Sequence, residues 1–308
     1  AQELHYALDL LEARGVELDS PQAEALAKAY LKDVIMHEVG HTLGLRHNFR
    51  ASTVYDLKQI QDPNFTKLNG ITASVMDYTP YNISAKGEKQ GEYVMSTLGP
   101  YDYWAIEFGY KQFDAGQETQ GLAQILAKAG QRELQFDTDE DAGYGSMGGI
   151  DPMVNRFDLG ADPLAYYKQR MKLSRELWDR LQNMNLATGD SYERLTRSFR
   201  NGFSQLARVA PLAAKYIGGV HTRRERAGST KPLFEPVSAA QQREALSLVT
   251  KDFFGTDSFK FKPELIARLA TDRLDRGDTD SGLQTSVASL VAGVQKGILD
   301  HVYSPAVA

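Results

Sequence analysis

The segment from residue 37 to 47, His37-Glu38-Val39-Gly40-His41-Thr42-Leu43-Gly44-Leu45-Arg46-His47, constrains this chain more than any other. Histidines at i and i+4 share one face of a helix, where both rings can reach a single metal ion. The segment therefore belongs at the end of a helix. Gly44 can take the left-handed conformation that stops a helix, so the chain can turn back and bring His47 as a third ligand. Three protein nitrogens leave one position of a tetrahedral zinc ion open, which marks a catalytic centre, because structural sites are closed by four protein ligands. Glu38 follows the first ligand and is rotated off the metal axis, placed to hold a water without displacing it, as a general base must be. A bare His-Glu-x-x-His can arise by chance on a polar helix face. With 26 Gly and 6 His in 308 residues, the added Gly and His make such an accident rarer by roughly 600-fold.

A second element stands apart at Ser74-Val75-Met76-Asp77-Tyr78. With the histidine string it resembles the Met-turn of metzincin zinc peptidases. The resemblance implies that Met76 forms an apolar floor under the three imidazoles, and that the Tyr78 phenol stabilises the oxyanion of a tetrahedral intermediate. Taken alone, both would read as core and turn residues. Leu98 to Tyr110 reads as a helix with Pro100 in its first turn and Gly109 near its close, and metzincins have a helix at this point in the chain. The wording of 74–80, of Gln90-Gly91-Glu92-Tyr93 and of 98–110 is most similar to bacterial zinc-dependent metalloproteases with a Met-zincin domain. That likeness is strong over about residues 20 to 110 and extends through 149–152 and 155–160. It implies a zinc cofactor, a protein or peptide substrate, and a periplasmic or secreted location.

Ahead of the motif, Glu3 to Arg14 reads as an amphipathic helix closed by Gly15. Ser20 and Pro21 then start the zinc helix, which runs to about Leu43. Residues 1–36 contain no run of strand character. Complete metzincins carry a twisted sheet there, whose edge strand binds the substrate backbone. The expected fold is mainly α: the zinc-helix and Met-turn part of a metzincin with its upper sheet subdomain missing, followed by a helical C-terminal region with a short β-hairpin. The upstream part of the same polypeptide is the expected partner that completes the cleft, and this piece alone is expected to bind zinc with weak proteolysis.

The expected organisation is a catalytic region over 1–136, a linker or loop over 137–149, and a mostly helical region over 150–308. Helices are expected at Gly121–Glu133, Pro163–Asn183, Tyr192–Lys215, Ala239–Phe253, Pro263–Arg276 and Gly282–Tyr303, with a hairpin from Ile217–Thr222 and Pro232–Val237. Asp137, Asp139 and Asp141 alternate like the start of a calcium loop. Ala142 stands where that loop needs glycine, so a solvated acidic loop is preferred over calcium. His5, His221 and His301 are read as surface or satisfied side chains, Trp104, Trp178, Tyr166 and Tyr167 as packing residues, and Arg223–Arg226 as a solvated hairpin tip. A net charge of −5 argues against a nucleic-acid partner, and the absence of cysteine excludes disulfides and thiol catalysis. The most apolar late segment, Val287–Val294, runs into Gln295 and Lys296, so no membrane span is expected. The rival to a peptidase is a non-catalytic zinc-stabilised, peptide-binding module. Loss of the base would mark such a module, and Glu38 is present.

Overall fold

Short-range chemistry sets most of the helix ends. A computed structural model describes residues 2–17, 19–144, 147–270, 285–305 and 307. Helix α1 (Gln2–Ala13) ends before Gly15, which takes φ +93°. Helix α2 (Pro21–Thr42) starts at Ser20, whose side chain accepts the Ala23 N–H, and stops before Gly44 at φ +84°. Two short helices follow, α3 (Leu57–Ile60) capped by Asp56 and α4 (Pro63–Asn69) capped by Asp62. An irregular run leads to α5 (Pro100–Tyr110), α6 (Glu118–Leu126) and α7 (Asp139–Ala142). Strands β1 (Gly143–Tyr144) and β2 (Met147–Gly148) form a two-residue antiparallel ladder. Helices α8 (Pro163–Gln182) and α9 (Glu193–Ala214) precede the antiparallel pair β3 (Val220–Thr222) and β4 (Phe234–Pro236). Helices α10 (Ala239–Phe253), α11 (Pro263–Ile266) and α12 (Val287–Val302) complete the described chain.

The chain is thus mainly helical with a short hairpin near the C-terminal end, as its sequence implies. None of the described helices is long and apolar enough to cross a membrane. Two helices are shorter than expected. The segment after Leu126 leaves the helix for a turn over 127–130 and a 3-10 turn at Arg132–Leu134. Helix α11 stops at Ile266. The remainder of the expected helix beyond Ala270, like the expected start of α12 at Gly282, lies outside the described residues.

Helices α8 and α9 form the centre of the molecule. Trp178 lies with its ring 4.7 Å from Phe203 and 5.2 Å from Phe261, and its indole N–H donates to the Phe199 carbonyl. Gly202 permits this approach, since a Cβ there would overlap the indole. Helix α1 adds Tyr6 and Leu10. One buried apolar cluster joins these residues to Ile60, Met76, Val94 and Ile298, so the core is continuous across the 137–149 stretch. Tyr166 and Tyr167 are buried in it, whereas Trp104 is half-buried and ties α5 to α6 by donating to the Ile125 carbonyl.

A pair of buried acids fixes the loop after α2 to the segment before α8. The Ser52 N–H donates to Asp77 at 2.8 Å, and the Ser52 hydroxyl donates to Asp158 at 2.8 Å. Burial pushes the Asp158 carboxyl up to about 7, and Asp77 is raised well above the ordinary range by burial and by Asp158. Between roughly pH 4 and 7 the folded chain therefore holds a proton on Asp158 that the unfolded chain has released. Asp158 is then expected to make stability fall as pH rises through that window and level off above it. Asp158→Asn imitates the protonated acid and should flatten that slope in urea unfolding at pH 5, 6 and 7. An unchanged slope would show the carboxyl to be ionised throughout.

Candidate metal centre

The last two turns of α2 and the turn at Gly44 bring His37, His41 and His47 together, with ligand atoms all within 4.8 Å of one another. Among the described residues no other group of three or more histidines or acids converges in this way. Each Nδ1 faces an oxygen: His37 the Val75 carbonyl at 2.7 Å, His41 the Leu45 carbonyl at 2.9 Å, and His47 the Asp139 carboxylate at 2.8 Å. Those acceptors put the ring proton on Nδ1 and leave the lone pairs on Nε2. The His41 and His47 Nε2 atoms lie 3.2 Å apart, and the His37 Nε2 is buried with no partner among the described residues. Burial also lowers the His37 pKa, which favours the neutral ring. Inward-facing lone pairs, one of them orphaned, are the donor set that a divalent cation such as zinc satisfies.

The ring support is long-range. Met76 is fully buried and lies against Gly40, where a Cβ would overlap its sulfur. Its carbonyl accepts the Asn48 N–H at 3.0 Å, tying the turn to the segment just after His47. Asp102, in the first turn of α5, holds the turn from below. It accepts the Ser74 hydroxyl at 2.6 Å, the Val75 N–H at 3.0 Å and the Gly99 N–H at 2.8 Å. Tyr78 lies over the site, its ring 5.1 Å from His37 and 4.5 Å from His47. Burial and the nearby Asp139 and Glu38 raise its pKa, so the phenol stays a donor. Glu38 is exposed beside His37.

Asp139, Asp102 and Gly40 were not legible as site residues. Asp139 also receives Arg156 at 2.9 Å, and the Arg156 guanidinium lies 4.5 Å from the Phe49 ring, which in turn stacks on His47. The acidic stretch is therefore not a solvated loop. Asp137 pairs with buried Arg50 and with Arg224, and Asp141 pairs with Arg224 at 2.6 Å. Arginines thus meet the charge of the three carboxylates that suggested calcium, and His47 adds a hydrogen bond to Asp139. The Arg223–Arg226 tip is tied down by the same pairs and by Arg223 with Glu235. His5 is exposed and His221 bonds Asp151 at 3.2 Å, but the His301 Nε2 is buried with no partner among the described residues.

The arrangement defines a three-histidine centre, at a helix end, compatible with zinc. The sequence model of the Met-zincin family matches residues 19–308, and the chain belongs to that family. No curated protein and no solved structure matches it. Family and triad together mark a zinc-metallopeptidase-like region.

Proposed function

We propose that the chain carries the catalytic centre of a zinc metalloendopeptidase, with His37, His41 and His47 as the zinc ligands through Nε2. The observation that carries this reading is the set of three Nδ1 atoms held by oxygen acceptors, which turns three Nε2 lone pairs toward one point. Zinc bound there would polarise the scissile carbonyl and lower the pKa of water to about 7. Glu38 takes a proton from the attacking water on its carboxylate as the water oxygen bonds to the carbonyl carbon. It returns that proton to the amide nitrogen as the C–N bond breaks. The Tyr78 hydroxyl donates to the oxyanion while charge is greatest, and Met76 and Gly40 keep the imidazoles at a fixed depth. Gly44 supplies the turn that delivers His47.

The test is hydrolysis of a quenched-fluorescence peptide library by the zinc-loaded chain. Even slow cleavage that stops with a chelator and returns with zinc supports the reading, and cleavage that ignores the chelator contradicts it. Asp139→Ala is expected to weaken zinc binding by roughly 10- to 100-fold in chelator competition, because the His47 ring loses its orienting acceptor. Unchanged affinity would remove Asp139 from the site.

A further inference from the structure

Beside the three imidazoles, α2 forms one wall of a chamber of about 520 Å3. Tyr30, Asp33, Val34, His37 and Glu38 line it, at spacings that put them on one helix face. The chamber therefore adjoins the proposed site of hydrolysis and runs back along the helix. Asp33 lies one turn, about 6 Å, from His37. Val34 and Val94 make part of the wall apolar, and the Tyr30 and Tyr81 rings stack at 5.9 Å.

Asp33 and Tyr81 line this chamber with oxygens that no described residue partners. The half-buried Asp33 carboxylate makes no hydrogen bond or ion pair with any described residue, and burial pushes its pKa up to about 7. Tyr81 is 1% exposed and its hydroxyl is buried with no hydrogen-bond partner among the described residues, with Tyr30, Asp33 and Glu3 as its electrostatic neighbours. Arg208 also lines the chamber, but it lies 2.5 Å from Glu3 and 4.3 Å from the Phe157 ring. Glu3 in turn receives Arg170 at 2.8 Å. Both arginines are thus committed to Glu3, which leaves Asp33 and Glu38 as acids on the lining that no described cation pairs with. An acid lacking a counter-ion, an unpaired hydroxyl, aromatic faces and an aliphatic wall together suit an ammonium or guanidinium carried on an aliphatic stem.

We infer that the chamber takes the side chain of a lysine or arginine next to the scissile bond, with Asp33 as its counter-ion. This names the substrate class of the site proposed above and rests on that reading. Calorimetry on the zinc-loaded chain with the hydroxamates of N-acetyl-lysine, N-acetyl-leucine and N-acetyl-glutamate separates the two. Acetohydroxamate, which has no side chain, reports the metal site alone. The lysyl probe is expected to bind about tenfold or more tighter than the leucyl probe, and glutamyl weakest, as a charge-assisted contact requires. Asp33→Asn should erase the lysyl preference, Asp33→Glu should retain it, and Asp33→Lys should invert it toward glutamyl. Equal binding of the lysyl and leucyl probes, or a preference that survives Asp33→Asn, overturns the inference.

A second measurement works without metal. Butylguanidinium titrated into the metal-free chain is expected to shift the ring resonances of labelled Tyr30 and Tyr81, and to leave them still in Asp33→Asn. Shifts that are absent in the wild type, or equal in the variant, overturn the inference whatever the metal site does. Shifts that depend on Asp33, together with no acetohydroxamate binding to the zinc-treated chain, would uphold the cation chamber and sink the hydrolase reading instead.

Discussion

Replacing Glu38 by glutamine is expected to lower peptide hydrolysis by roughly 10²- to 10⁴-fold, the contribution typical of a positioned general base, while zinc content stays that of the wild type. Glutamine keeps the size and hydrogen-bonding reach of the side chain but cannot accept the proton from water. Glu38 is exposed, so the substitution removes no core packing, and the convergent ligand set is built from the three histidines without it. The effect should fall on kcat more than on KM, since the lost interaction is made in the transition state. Turnover near the wild-type rate would show that another group is the base. Loss of zinc from the variant would mean that the carboxylate is itself a ligand.

Arg170→Ala should destabilise the fold by about 3–5 kcal/mol, the scale for breaking a buried ion pair. Arg170 is 1% exposed, and four segments meet at its guanidinium. It donates to the Tyr81 carbonyl at 3.0 Å, to Glu3 of α1 at 2.8 Å, and to Gln205 of α9. The Glu3 carboxyl would be raised by burial alone, but Arg170 and Arg208 outweigh that and hold it below the usual range. Losing Arg170 strips the Tyr81 carbonyl of its guanidinium donor in a dry site and leaves Glu3 with Arg208 for its charge. Denaturant unfolding followed in single-tryptophan variants, with Trp104 and Trp178 as separate probes, reads both the size of the loss and its reach. Coincident transitions that shift together would show residues 1–136 and 150–308 unfolding as one unit. Separate transitions would support the proposed division near 137–149. A loss below about 1 kcal/mol would demote the network to a peripheral contact.

What the sequence disclosed follows from the range over which each signal acts. The end of α2 was legible because the i, i+4 histidines demand a helix and Gly44 permits its stop. The structure has α2 ending at Thr42 and Gly44 at φ +84°. The caps at Ser20 and Pro21 and the start of α5 at Pro100 were legible for the same local reasons. Met76 and Tyr78 were reached through resemblance, since a methionine in a turn carries no chemistry of its own. Asp139 was missed because it meets His47 across 92 positions, and no local periodicity encodes such a pairing. Asp102 reads from sequence as an ordinary helix-start acid, and only the fold reveals that its second oxygen holds Val75. Gly40 occupies a position the motif leaves free, and its purpose is visible only with the Met76 sulfur beside it.

The central claim is that three imidazoles hold one zinc ion and leave a place for a non-protein ligand. X-ray absorption at the zinc edge of the purified chain, loaded with one equivalent, tests it most directly. The account predicts three imidazole nitrogens at about 2.0–2.1 Å and one further light ligand, with one imidazole fewer in His47→Ala. An ion bound mainly by oxygen, or an imidazole count unchanged in His47→Ala, would contradict it.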